Sequence, residues 1–150
     1  MSLKDQINQD LKSAMKEKDS TKLESLRAIK SAIILFETKD SSSNELNESD
    51  EIKILQRLVK QRKESAQIFE RQRRNDLAET EIIQSEFISK YLPKQLSKKE
   101  VEDIVLRIIE ETNSSGMKDM GKVMGMATKE LSGKADGKTI SEIVRKNLNN

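Results

Sequence analysis

The chain contains no cysteine and no histidine. The first absence excludes disulfides, thiolate metal sites and cysteine nucleophiles. The second removes the usual general base near neutral pH, the imidazole zinc ligand and any Ser-His-Asp triad. Aromatic residues are 3% of the chain, so its core has to be built from aliphatic side chains. With hydrophobic residues at 34% of 150 positions that core is small, and the length suffices for one ordinary domain or two small ones. Proline occurs once, at Pro93. All five glycines fall between Gly116 and Gly137. Neither sign of charge dominates: 28 Lys and Arg against 26 Asp and Glu leave a net charge of +2, which by itself implies no partner. No apolar run approaches membrane-spanning length. The opening "MSLKDQINQD" has no apolar signal core, so a cytoplasmic, soluble protein without a membrane partner is expected.

What the chain does contain is helix-forming: abundant Lys, Glu, Leu, Ile and Ser, with apolar residues at helical spacing, predict an all-α fold. Ser2 and Asp5 can cap a first helix with the stripe Leu3, Ile7, Leu11 and Ala14 or Met15. Thr21 and Glu24 read as a capping box for a second, with the stripe Leu26, Ile29, Ile33 and Phe36, widened by Leu23 and Ile34. "KDSSSNELNESD" reads as a mobile polar loop. A third helix should start between Asn47 and Asp50, carry Ile52, Leu55, Val59, Ala66 and Phe69, and end in "RQRRND". A fourth carries Leu77, Ile83, Phe87 and Tyr91.

Leu92-Pro93 disfavours helix, because proline clashes with a helical residue before it. Ser97-x-x-Glu100 then makes a capping box, which places a domain boundary here and divides the chain into residues 1–92 and 93–150. A fifth helix carries Val101, Ile104, Val105, Ile108 and Ile109. A sixth begins around Gly116 with Met117, Met120, Val123 or Met124, Ala127 and Leu131, and Gly133 can serve as its left-handed cap. A seventh carries Ile140, Ile143, Val144 and Leu148, with Asp136 or Thr139 as its N-cap. Four helices followed by three are expected.

The glycine-rich stretch raises the functional question. Gly121 and Gly125 lie four apart on one helical face, and each costs about 1 kcal/mol relative to alanine. Either they let two helices cross tightly, or they let a large partner approach the main chain. Met117, Met120 and Met124 read as core filler. Lys118, Lys122 and Lys129 share a face, and Lys134 and Lys138 flank the turn "KADG". They form either a plain solvated face or a phosphate-tracking one, since lysine is a mobile point charge and glycine-rich turns offer N–H groups to phosphate. The C-terminal part has no Phe, Tyr or Trp on which to stack bases, so any RNA contact would go to backbone and shape. The acidic fifth helix (Glu100, Glu102, Asp103, Glu110, Glu111) should face away from RNA. A second basic run on the third helix includes Lys53, Arg57, Lys60, Arg62, Lys63, Arg71, Arg73 and Arg74, balanced by Glu79, Glu81 and Glu86. Arg27 and Lys30 are expected to pair across helices. No nucleophile stands with an activating base, no acidic cluster has metal spacing, and "MKDMGK" is not a P-loop. Asp119 and Asp136 read as helix-start residues.

The segments "SLRAIKSAI", "LVKQRKESAQIF", "DLAETE", "YLPKQLS", "MKDMGKVMG" and "GKADGKTISEIV" follow one another over nearly the whole chain, which thereby resembles the YqeY-like proteins of the GatB/YqeY family. "KDMGKVMG" followed by "GKADG" is the specific part. The resemblance implies an N-terminal helical domain and a C-terminal three-helix domain similar to the tail of GatB, one of the subunits of the tRNA-dependent amidotransferase. There the tail holds the body of tRNA while chemistry proceeds in other domains. The family label is carbon-nitrogen ligase with glutamine as amido donor. The family pattern has glycine where this chain has Arg73, a change expected to lengthen the third helix or alter the turn after it.

Together these features lead to the expectation of a non-catalytic module with no cofactor and no metal. It would bind tRNA or other folded RNA, not DNA, through Lys118, Gly121, Lys122, Gly125, Lys129, Lys134, Gly137 and Lys138. Arg57, Lys60, Arg71 and Arg74 would form a secondary basic patch. The alternatives are an accessory role in glutamine-dependent amide transfer on misacylated tRNA, with amidotransferase or other translation components as partners, and a protein–protein adaptor.

Overall fold

The computed structural model describes residues 2–39 and 46–149, and the regular secondary structure within them is all helical. Of the polar loop expected at 39–50, residues 40–45 lie outside the described residues and 48–50 belong to a helix. The chain divides into two compact units, Met1–Leu92 and Pro93–Asn150.

The first unit holds α1 (Leu3–Glu17), α2 (Ser20–Lys39), α3 (Glu48–Arg71) and α4 (Asn75–Ser89). Ser2 caps α1 by accepting from the Asp5 N–H. The helix stops where Lys18 turns left-handed, with φ 55°. Asp19 then accepts from the Lys22 N–H at 3.1 Å and starts α2. The expected Thr21–Glu24 capping box therefore does not form. Thr21 already lies inside the first turn, and the Glu24 carboxylate accepts instead from Gln84 Nε2 on α4 at 2.8 Å. At α3 the reciprocal bonds between Asn47 and Asp50 make a full capping box.

α1 packs on α2, and α2, α3 and α4 pack on one another. Their core joins Leu3, Ile7, Leu11 and Ala14 to Leu26, Ile29, Ile33, Leu55, Val59 and Ile88. Met15 and Ile34 are exposed, so neither extends its helix's stripe. α4 departs further from expectation. Its buried positions are Ala78, Gln84, Ser85 and Ile88, while Ile83 is exposed. Ala66 of α3 and Ala78 of α4 are buried although small, and a search for large apolar residues passes over such positions. Gln84 is accommodated there because both ends of its amide are bonded: Oε1 accepts from Arg62 Nε and Nε2 donates to Glu24. The Tyr91 phenol donates to Asp10, and burial, reinforced by that bond, pushes its pKa up.

The second unit holds α5 (Lys98–Thr112), a 3-10 turn (Met117–Asp119), α6 (Met120–Glu130) and α7 (Gly137–Leu148). Ser97 and Glu100 form the expected capping box for α5. Ahead of it, Gln95 Nε2 donates to the Gly133 carbonyl and the Leu96 N–H donates to the Lys134 carbonyl at 2.9 Å, so the segment entering α5 is tied to the α6–α7 turn. α6 starts later than expected. Gly116, with φ 72°, opens the 3-10 turn, and the α-helix begins only at Met120. Gly133 is left-handed (φ 77°) as expected, but it lies two residues beyond the helix's last cap, Leu131, where it turns the chain toward α7. Asp136, not Thr139, caps α7: its carboxylate accepts from the Thr139 N–H at 2.9 Å. The three helices enclose a wholly aliphatic core that includes Val101, Val105, Ile108, Val123, Ala127, Leu131, Ile140 and Val144.

Candidate nucleic-acid interface

α6 buries Val123 and Ala127, with Leu131 just beyond its end, and half-buries Met120 and Met124 against the core. At 100° per residue, Lys122, Gly125 and Lys129 fall on the opposite side, with Gly121 on its flank. All four are exposed. A Cβ built at Gly121 or Gly125 would meet nothing within 4 Å. The reading of these glycines as a tight internal helix crossing is therefore overturned: neither is needed by the packing of its own unit. The methionine expectation is corrected in part. Met120 and Met124 pack on the core, but Met117 is 45% exposed; Met126, outside that expectation, is 43% exposed.

The remaining residues lie around this face in sequence. Lys118 is in the 3-10 turn, Lys134 in the α6–α7 turn, and Gly137 and Lys138 open α7; all are exposed. None of the five lysines makes an ion pair among the described residues. Two nearby acids, Glu130 and Asp119, are engaged elsewhere. Arg107 of α5 pairs with Glu130, the one acid of α6, and with Glu111, and the Glu130 contact holds its guanidinium pKa above the usual value. Asp119 accepts from the Ser115 N–H at 2.8 Å. Neither α6 nor α7 has an acid in its first turn; Lys122 and Lys138 stand there instead. Positive charge at a helix N-terminus opposes the helix dipole by about 0.3–1 kcal/mol; at α7 the Asp136 carboxylate, bonded to the Thr139 N–H, offsets it. Sequence reasoning missed Arg107 as the residue that neutralises Glu130. Its signal would have been a basic residue in the acidic second half of α5, after Glu100, Glu102 and Asp103 and before Glu110 and Glu111.

The secondary patch is only partly assembled. Arg57, Lys60 and Arg71 are exposed on the side of α3 opposite Leu55, Val59 and Ala66. Arg74 leaves the group: its Nε and Nη2 each lie 3.2 Å from the Asp76 carboxylate at the start of α4, and that bond draws the Asp76 pKa down. Arg62 points inward to Gln84 and the Leu58 carbonyl. Arg27 and Lys30 are exposed and make no ion pair among the described residues, so the expected cross-helix pairing is replaced by Lys4–Glu37 and Lys22–Glu17. No group of three metal-ligating side chains occurs among the described residues, and no described helix is long and apolar enough to cross a membrane.

Comparison with known proteins adds two facts. The model of a family described as Yqey-like protein matches residues 4–148. Curated relatives include "Altered inheritance of mitochondria protein 41, mitochondrial" of Clavispora lusitaniae, 41% identical over 83 residues, or 55% of this chain and 47% of that protein. They also include a Glutamyl-tRNA(Gln) amidotransferase subunit of Thermococcus sibiricus, 44% identical over 57 residues, and its counterpart of Methanocaldococcus jannaschii, 46% identical over 59 residues. Those two matches cover 35% and 37% of this chain and 9% of each relative. The chain thus spans about half of the mitochondrial relative and a small fraction of the amidotransferase ones.

Proposed function

Because the chain belongs to the Yqey-like protein family, we propose that it is a non-catalytic module that grips the phosphate backbone of folded, tRNA-like RNA through the exposed face of α6 and the turn into α7. The observation that carries this reading is the pair Gly121 and Gly125: open to solvent, met by nothing within 4 Å of an added Cβ, and set among lysines that make no ion pair among the described residues. Bare main chain lets a broad partner come close, and lysine supplies charge without demanding a fixed geometry. The aliphatic makeup of the second unit fits contact with backbone and shape rather than with stacked bases. Local similarity to the Glutamyl-tRNA(Gln) amidotransferase relatives supports a tRNA ligand.

Salt dependence tests the proposal. Replacing Lys122 and Lys134 by Gln should weaken binding to a tRNA transcript whatever its sequence and lower the slope of log affinity against log salt by about two units. An unchanged slope would remove both from the interface. The same similarity favours a second reading, an accessory part in amide transfer on misacylated tRNA. Incubating the protein with glutamine and Glu-tRNA should yield no amide unless further amidotransferase components are added; amide formed by the chain alone would show that it is an enzyme.

A further inference from the structure

The solvent face of α3 carries Lys53, Arg57, Lys60 and Arg71 opposite the buried Leu55, Val59 and Ala66, and all four cations are exposed. None makes an ion pair among the described residues. Two neighbouring basic groups are engaged: Arg62 bonds Gln84 and Leu58, and Arg74 bonds Asp76. Helical spacing also puts Glu64 and Ile68 on this face, between Lys60 and Arg71. The row is straight and spans roughly 27 Å at 1.5 Å per residue. A rod of positive charge fits an extended polyanion. Its single apolar member, Ile68, is too little for insertion into a lipid interface, which needs a broad apolar face. It has no aromatic on which to stack a base, because Phe69, the nearest, is half-buried on another side of the helix.

We infer that this face of α3 is a second phosphate-tracking surface, so that each unit of the protein makes its own contact with RNA. The inference rests on the reading of the protein as an RNA binder but not on the α6 residues. Its chemistry is charge alone: Arg57 and Lys60 lead, Lys53 and Arg71 extend the track, and Glu64 limits its density.

The test uses the whole chain and a tRNA transcript. Arg57→Gln with Lys60→Gln should lower the salt slope by about two units, which amounts to a roughly tenfold change in relative affinity between 50 and 200 mM salt. The charge-preserving pair Arg57→Lys with Lys60→Arg should keep the wild-type slope. Should the double variant fold poorly, Lys53→Gln alone should lower the slope by about one unit. An unchanged slope for the α3 variant, beside a lowered one for Lys122→Gln with Lys134→Gln, overturns this inference and leaves the α6 surface standing. A lowered slope for the α3 variant alone supports the inference and refutes the α6 surface. If the α3 variant keeps its RNA slope and instead loses binding to a polyglutamate peptide, the face serves an acidic protein and the inference falls.

Discussion

Arg73 stands left-handed, with φ 59°, where the chain turns from α3 to α4. The resemblance described above leads to the expectation of glycine at this place, and only glycine adopts that conformation freely. α3 ends at Arg71, before this residue, and in the turn that follows the Arg73 and Arg74 N–H groups donate to the Glu70 and Phe69 carbonyls. The effect of arginine there is stored as backbone strain. Arg73→Gly should therefore raise stability by about 0.5–1 kcal/mol in a denaturant titration, whereas Arg73→Ala, which relieves nothing, should leave it unchanged. Gly125 presents the converse case. Its conformation is ordinary helix and the space around it is open. Gly125→Ala should add about 1 kcal/mol to stability while weakening RNA binding, two opposite movements that a thermal melt and a titration on one sample would reveal. A residue added for packing would move both in the same direction. Sequence spacing places the two glycines together but does not say whether their shared face looks inward or outward, because burial depends on which of several stripes the neighbouring helices choose.

Among the elements, those whose ends are written in short local signals are legible in the sequence. Ser97 and Glu100 start α5 where the spacing predicts, and Ser2 does the same for α1. α7 exposes the limit of such signals: Asp136 and Thr139 are both good caps, and only the structure shows the carboxylate of one on the N–H of the other. α4 is hard to read because its buried side is Ala78, Gln84, Ser85 and Ile88, a set with little apolar contrast. Gln84 is held by partners distant in sequence, Glu24 and Arg62, which no local window contains, while Ser85 bonds the Ile82 carbonyl one turn back. The α5 cap carries a pH signature. Bonds from the Ser97 backbone N–H, and secondarily its hydroxyl, hold the Glu100 carboxyl below its usual pKa. The lowered value means a contribution present above the ordinary glutamate pKa of about 4.3 and lost as pH falls through the folded value. Melting temperature should accordingly decline on acidification below that point, and the decline should be shallower in Glu100→Gln.

At the scale of the whole molecule, each unit has a core of its own: one built from α1–α4, the other from α5–α7. The second unit is small and free of aromatics, so every bond that closes it matters. A fragment beginning at Pro93 should unfold cooperatively in a far-ultraviolet circular dichroism melt. One beginning at Ser97 lacks the bonds from Gln95 and Leu96 to the α6–α7 turn, each worth about 0.5–1.5 kcal/mol, and should melt lower. A fragment from Pro93 that shows no transition would mean that this unit needs the rest of the chain to fold. The uneven exposure of the methionines has a chemical consequence of its own. Met117 and Met126 lie open near the lysines of α6, while Met120 and Met124 shelter against the aliphatic core. Hydrogen peroxide would convert the outer pair to polar sulfoxides first, altering the outer surface of the second unit before its interior was touched.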